Sequence, residues 1–339
     1  MSGHKLFMLN LLKRLIRGTF WITTGMAGAK LFGIISSLIL ARVLGKEGLG
    51  ELGAILSTVA MFEVIASFGM KSTVARHVAL WRDTHPAKAL AIIHFGQKVV
   101  LITASVCVVI MIISSPWLSR EMLSAPLLSK QLQFVSFALL FIAIDAVQVG
   151  SLLGFEDTMS VAFAGIIYGI TYPFLASGGA FLYGLKGVIT AYIICIIIKC
   201  FFNNMRLQKI LSHFTIMQDR ARDHSSLNIL IKFTIPIVIA GIFVTPISWL
   251  CNTILLKSPD GYGQMGIISI VASWTQIITF IPSATGELAI PMLSNLISNI
   301  DKTNFRNALR MKLLLAGTIA LIISLVIILL SKQITTLYG

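Results

Sequence analysis

Gly48-Leu49-Gly50-Glu51-Leu52-Gly53 and Gly261-Tyr262-Gly263-Gln264-Met265-Gly266 each carry three glycines at the same spacing, with an acid or an amide between the second and third. The copies lie 213 residues apart, and each opens an apolar run, near 50–69 and 264–284. The same offset lays the run near 18–41 onto that near 228–253, and 90–113 onto 311–331, so the hydropathy pattern agrees with the motif. Further runs near 132–153, 159–183 and 186–204 make about nine in all. Each is about 20 residues long, enough for a helix to cross a hydrocarbon core of roughly 30 Å. The period-two alternation over about 10 residues that marks a transmembrane barrel is absent. An even number of spans separates the two copies, so they face the same way, as a parallel repeat about an axis along the membrane normal.

The sequence therefore predicts an all-α polytopic membrane protein of about nine transmembrane helices: a six-helix lobe over 1–212, a polar linker over 213–227, and half of a second, related lobe over 228–339. By the same offset a complete second lobe would run to about residue 425, so three helices are expected to be missing after Gly339. The inner faces of such an incomplete lobe would lack partners, and the expectation is that the chain inserts but does not complete a transport cycle alone.

Composition excludes a water-soluble fold: mean hydropathy is +0.90, and 56% of residues are hydrophobic against 12% charged, where soluble domains carry about 25% charged residues. A net charge of +14 could point to nucleic acid, but the basic residues gather in short segments between apolar runs, the pattern that orients a membrane protein. With the N-terminus cytoplasmic, sixteen Lys and Arg fall in cytoplasmic segments, among them Lys13, Arg76, Arg206 and Arg306. Seven fall outside: Arg42, Lys46, Arg120, Lys130, Lys186, Lys257 and Lys332. The positive-inside rule then puts the N-terminus in the cytoplasm and no nucleic acid among the partners. Cys107, Cys195, Cys200 and Cys251 lie in or beside apolar runs without metal-ligand spacing and read as packing residues, so no metal site and no cofactor is expected.

A charged side chain inside a bilayer costs a few kcal/mol and needs a partner, an aqueous cavity or a route to the interface. Lys30 sits mid-span on a face with Thr23, Ala27, Gly33, Ser37 and Ala41, either pairing with Glu63 in tight helix packing or forming a cationic cavity wall. The eighth run carries Ser269, Ser273, Gln276, Thr279, Ser283 and Glu287 at helical spacing, a polar stripe or a set of hydroxyls bonded back to their own helix. The offset makes Gln276 the counterpart of Glu63, which would set polar sites of the two lobes facing each other. Lys98 and Asp145 lie at matching depths of roughly 12 Å and are expected to pair between helices, with proton or sodium coupling as the alternative. Lys199 reads as snorkelling to the surface, and Lys232 as a candidate for a cytoplasmic vestibule. No phosphate loop, zinc cluster or Ser/His/Asp set is present. A membrane-embedded glycosyl polymerase is the enzyme alternative, but it would need an outside loop larger than the stretch near 114–131.

Ala41-Arg42-Val43-Leu44-Gly45-Lys46-Glu47-Gly48-Leu49-Gly50 resembles the Ala-Arg-x-Leu-Gly-x-Glu-x-x-Gly segment after the first helix of polysaccharide-export flippases. Phe68-Gly69, Gly154-Phe155-Glu156, Gly184-Leu185-Lys186-Gly187, Ile290-Pro291-Met292-Leu293-Ser294 and Leu337-Tyr338-Gly339 extend the likeness over nearly the whole chain. Together they resemble an O-antigen or capsule-unit flippase of the multidrug/oligosaccharidyl-lipid/polysaccharide exporter superfamily. The resemblance implies two six-helix lobes about a central cavity in the cell inner membrane, moving a polyprenyl-diphosphate-linked oligosaccharide outward by alternating access. It also implies that its partners are that substrate, membrane lipids and the polysaccharide polymerase machinery. Cavity walls from helices one, two, seven and eight would place Lys30, Arg42, Glu63, Lys232, Gln276 and Glu287 at the substrate, with Arg42 alone on a motif position. A multidrug cation antiporter of the same superfamily is the alternative, but its cavity would need acidic character, whereas Lys30 and Arg42 favour anions.

Overall fold

Within hydrocarbon each backbone N–H and C=O must find its partner in the same segment or a closed sheet. Runs this apolar, with few internal prolines, satisfy that as helices. The computed structural model describes the backbone of residues 2–214, 235–298 and 302–338, and the side chains of 28–212, 243–279 and most of 310–338. Among the described residues there is no strand. The helices are α1 (Ser2–Ser67), α2 (Met70–Trp81), α3 (Pro86–Trp117), α4 (Ser129–Ser136), α5 (Ala138–Gly154), α6 (Thr158–Phe214), α7 (Ile235–Leu256), α8 (Gly261–Ser298), α9 (Lys302–Leu329) and α10 (Ser331–Tyr338). The expected linker at 213–227 lies outside the described residues except for 213–214, which continue α6.

Two helices are too long for one crossing. α1 holds 66 residues and α6 holds 57, about 100 and 85 Å at 1.5 Å per residue, well over twice a hydrocarbon core. Each turns back on itself at a glycine with non-helical backbone: Gly45 (φ 70°, ψ 175°) in α1 and Gly184 (φ 58°, ψ −139°) in α6. A side chain at either φ would be strained, so glycine permits the reversal. The second turn is tight enough that a Cβ on Gly179 would sit 2.6 Å from the Gly187 carbonyl oxygen. Thus the expected spans 18–41 and 50–69, and likewise 159–183 and 186–204, are joined without a loop. α1 then breaks at Phe68 and Gly69, both left-handed, and α2 continues in a new direction.

α2 is where the basic segment Lys71 to Arg82 lies, and it is a packed helix that buries Met70, Thr73, Val74 and Val78. It lies against α5 so closely that a Cβ on Gly150 would meet the Lys71 carbonyl oxygen at 2.4 Å, and one on Gly154 would meet Val78 at 2.6 Å. The turn after α2 is tied to the turn after α5. Arg82 donates to the Gly154 carbonyl (3.0 Å) and pairs with Glu156. The Glu156 hydrogen bond, chiefly, holds the Arg82 guanidinium above its ordinary pKa. Asp157 caps α6, accepting from the Ser160 backbone N–H (3.2 Å) and hydroxyl (2.6 Å).

The outward faces are aliphatic. On α3, Leu101, Ile102, Val106, Val109, Ile110 and Ile113 are all exposed along one side. In water such a stripe would form a patch far larger than soluble monomers leave open; in a bilayer it is the lipid contact.

Candidate functional site

The two glycine motifs pack against each other. A Cβ on Gly50 would fall 1.9 Å from the Tyr262 carbonyl oxygen, and one on Gly266 would fall 2.2 Å from the Lys46 carbonyl oxygen. A Cβ on Gly53 would meet the Ser269 hydroxyl at 2.3 Å. Only glycine lets the backbones of α1 and α8 approach this closely. At the rim of the same end, Lys46 pairs with Asp260 at 2.9 Å, and that hydrogen bond raises the ammonium above its ordinary pKa. Tyr262 donates to the Leu123 carbonyl (2.6 Å), tying the start of α8 to the turn after α3. Deeper, Trp249 of α7 donates to Thr58 of α1 (3.0 Å), both side chains buried. This end is sealed by backbone contact.

Below the seal lies a cavity of about 410 Å³ between α1, α6, α7 and α8. Its polar lining includes Ser36, Ser57, Tyr172, Asn252, Ser273 and Gln276, and none of its described lining side chains is charged. Lys30 donates to Gln276 from across the cavity's other end. Both residues lie 15 positions from the turn at the sealed end, Lys30 before Gly45 and Gln276 after Gly261, about 22 Å along each helix, which is why they meet. Lys30 thus reaches the amide of α8 and not Glu63, the partner that tight packing would have given it. The hydroxyls of Ser269, Ser273 and Thr279 bond back to carbonyls of their own helix, at 2.9, 3.0 and 2.9 Å. The side chains of Ser283 and Glu287 and the whole of Lys232 lie outside the described residues.

Arg42 donates to the Leu337 carbonyl (3.0 Å), and Tyr338 bonds Ser37 (2.7 Å) while accepting from Trp274 (3.3 Å). The short α10 therefore packs on the flank between α1 and α8, and Arg42 is engaged at the rim and not in the cavity lining.

Asp145 does not pair with Lys98. Its carboxylate accepts from Lys199 (2.7 Å) and from Asn203 (2.7 Å), and only 8% of Asp145 is exposed. Lys199, expected to snorkel, is the cation of that pair. Lys98 stands exposed on α3, in register with His94 and Leu101 on the lipid face. Matching depth was a correct clue; which face of α3 turns inward was not legible from it. Glu63 lies within electrostatic reach of Lys199, Asp145 and Lys71, and Tyr168 stacks on Tyr172 with centroids 5.6 Å apart. Tyr172 meets Tyr192 edge-on at 6.3 Å. These tyrosines, absent from the sequence-based site, carry the cavity wall toward Glu63; their spacing at 168 and 172 was the available signal.

Solved transporters share this architecture. An inward-facing multidrug transporter of the MATE family and MOP superfamily matches with a TM-score of 0.71 at 14% identity, covering 91% of this chain and 72% of that one. An outward-facing structure of such a transporter matches at 0.65 and 15% identity, with 94% and 72% covered. A MOP superfamily transporter from Pyrococcus furiosus, whose binding pocket is described as reversed in polarity, matches at 0.59 and 16% identity, with 95% and 73% covered. The fold of the described residues is that of these transporters, all-helical, with several helices long and apolar enough to cross a membrane.

The profile of the family described as polysaccharide biosynthesis protein matches residues 15–297, and the chain belongs to that family. The EPS I polysaccharide export inner membrane protein EpsE of Ralstonia solanacearum is 31% identical over 108 residues, 32% of this chain and 24% of the relative. Its counterpart in Ralstonia nicotianae matches to the same extent. The chain aligns with about a quarter of the length of these curated relatives.

Proposed function

We propose that this protein is a flippase that carries a polyprenyl-diphosphate-linked oligosaccharide across the cell inner membrane for surface polysaccharide synthesis. The observation that carries the reading is Lys30: a cation inside the bilayer, bonded to a neutral amide and not to an acid, at one end of a cavity whose described lining is uncharged and holds several hydroxyls. A diphosphate supplies the missing negative charge, and hydroxyl and amide groups suit the attached sugars. Family membership and the export protein of Ralstonia support the same substrate class. The basic segments orient the N-terminus and the Lys30 end to the cytoplasm, and the glycine seal outward. The repeat supports a first lobe over 1–212 and a second from 228, opening alternately about the cavity. Partners would be the lipid-linked substrate, membrane lipids and the polymerase machinery. The cation-antiporter alternative shares the fold but calls for an acid where Lys30 stands.

The test is transport into vesicles reconstituted with the protein, using a labelled lipid-diphosphate oligosaccharide. Lys30→Ala should lower the rate about 10- to 100-fold, the value of a charge-assisted hydrogen bond, with Lys30→Arg retaining part of it. An alanine variant at full rate, or one that exports organic cations instead, would overturn the assignment.

A further inference from the structure

The cavity divides its chemistry by depth. Charge stands at one end, in Lys30, while the 410 Å³ between Gln276 and the glycine seal is walled by leucine, isoleucine and methionine side chains, with hydroxyls, an amide and one aromatic ring set among them. One of these groups is buried without a partner, and two more stand unpaired at the cavity wall. The Ser36 hydroxyl, on a residue only 2% exposed, has no hydrogen-bond partner. The Tyr172 hydroxyl and the Asn252 amide also have none among the described residues, and both line the same space. A buried polar group without a partner, as at Ser36, is costly unless something that enters can bond it, and the other two are open to the same occupant. Ser57 and Ser273 have spent their hydrogens on backbone carbonyls, at 3.0 Å each, and present only lone pairs. The wall thus offers donors at Ser36, Asn252 and Tyr172, acceptors at Ser57 and Ser273, and an aromatic edge held in place by Tyr168 and Tyr192. Alternating donors and acceptors beside an aromatic ring complement the hydroxyls and C–H face of a pyranose, and the volume admits about two such rings.

We infer that this cavity is a subsite for an uncharged sugar, so that the substrate enters sugar-first, with its diphosphate at Lys30 and its outer sugars against Tyr172 and Asn252. The inference rests on the flippase reading for the diphosphate but not for the sugar. A carboxylate on those sugars would meet no cation among the described lining side chains, so acidic sugars are disfavoured.

Binding to the purified full chain distinguishes the parts. The probes are a polyprenyl diphosphate bearing a neutral disaccharide, the same lipid bearing a uronic-acid disaccharide, the bare lipid diphosphate, and the free neutral disaccharide. The neutral conjugate should bind about tenfold or more tighter than the bare lipid, and the acidic conjugate no tighter than it. Tyr172→Ala and Asn252→Ala should remove that increment while leaving the bare lipid's affinity in place. Tyr172→Phe, which keeps the ring and the packing, should lose less and guards against misfolding. Equal binding of neutral and acidic conjugates, or an equal loss for bare and decorated lipids in Tyr172→Ala, overturns the subsite. If no lipid diphosphate binds while the free disaccharide does so through Tyr172, the flippase reading falls and the subsite stands; if neither binds, both fall.

Discussion

Gly50→Ala is the sharpest probe of the seal. The added methyl carbon would lie 1.9 Å from the Tyr262 carbonyl oxygen, where such contacts essentially never fall below 3.0 Å, so α8 must retreat by about 1 Å. Overpacking of this kind costs about 1–3 kcal/mol, and a gap of that width forfeits a quarter to a half of the dispersion energy of each atom pair beside it. The penalty applies only while α1 and α8 touch. A cost of about 2 kcal/mol on the sealed state shifts the balance toward an open outer end by about 30-fold. Spin labels at Glu47→Cys and Lys257→Cys, both exposed near the seal, report the separation by pulsed dipolar spectroscopy. A Cys251→Ser background suffices, because the other three cysteines are buried. The short-distance population should fall in Gly50→Ala and again in Gly266→Ala, whose methyl would meet the Lys46 carbonyl at 2.2 Å. Gly28→Ala, with nothing within 4 Å, is the control. Unchanged distance distributions in both seal variants would refute the claim that backbone contact between the motifs holds this end shut.

Asp145→Ala leaves Lys199 without its carboxylate inside the helix bundle and should cost about 3 kcal/mol, while Lys98→Ala on the lipid face should be near neutral; heat-challenge gel filtration in detergent reads both, and equal losses would restore the Lys98 pairing. Gly150→Ala should lower the same thermal midpoint by prising α2 from α5, since its methyl would sit 2.4 Å from the Lys71 carbonyl. Arg82→Ala should cost roughly 1 kcal/mol and show as faster hydrogen exchange confined to the turns near 82–85 and 154–157, because Glu156 is mostly exposed; exchange that rose throughout α5 would mean the turn does more than join two ends.

The glycine repeat was legible because close backbone approach leaves a compositional trace: only glycine fits, so the same letters recur where the same contact recurs. Its partner was not. Nothing in the string says that the motif at 48–53 lies against its own copy at 261–266. The two reversals at Gly45 and Gly184 fall in the gaps left between the runs at 18–41 and 50–69 and at 159–183 and 186–204, yet an apolar run ending in glycine reads the same whether a loop or a bare kink follows. Intramembrane charges were found easily, since few exist, but pairing depends on how each helix is rotated about its axis. That rotation is fixed by packing against neighbours distant in sequence, which is why Lys98 and Lys199 exchanged roles and Lys30 chose Gln276 over Glu63. Hydroxyls lining the cavity were invisible as a set because they come from three helices, α1, α6 and α8, and tyrosines at 168 and 172 look like ordinary core.

The loopless reversals at Gly45 and Gly184 also bear on how the molecule meets its surroundings. A helix that turns back within a single glycine offers no extended segment for a protease to thread through its cleft, and scarcely any loop for an antibody or a phage tail fibre to grip. Of the turns at that end, the stretch from Leu118 to Leu128, itself folded into short helical turns, is the longest among the described residues. With that end outward, as proposed, surface digestion of intact cells should spare both reversals, and a tag meant for display on that side belongs near Ser124 and Leu127, not at either glycine.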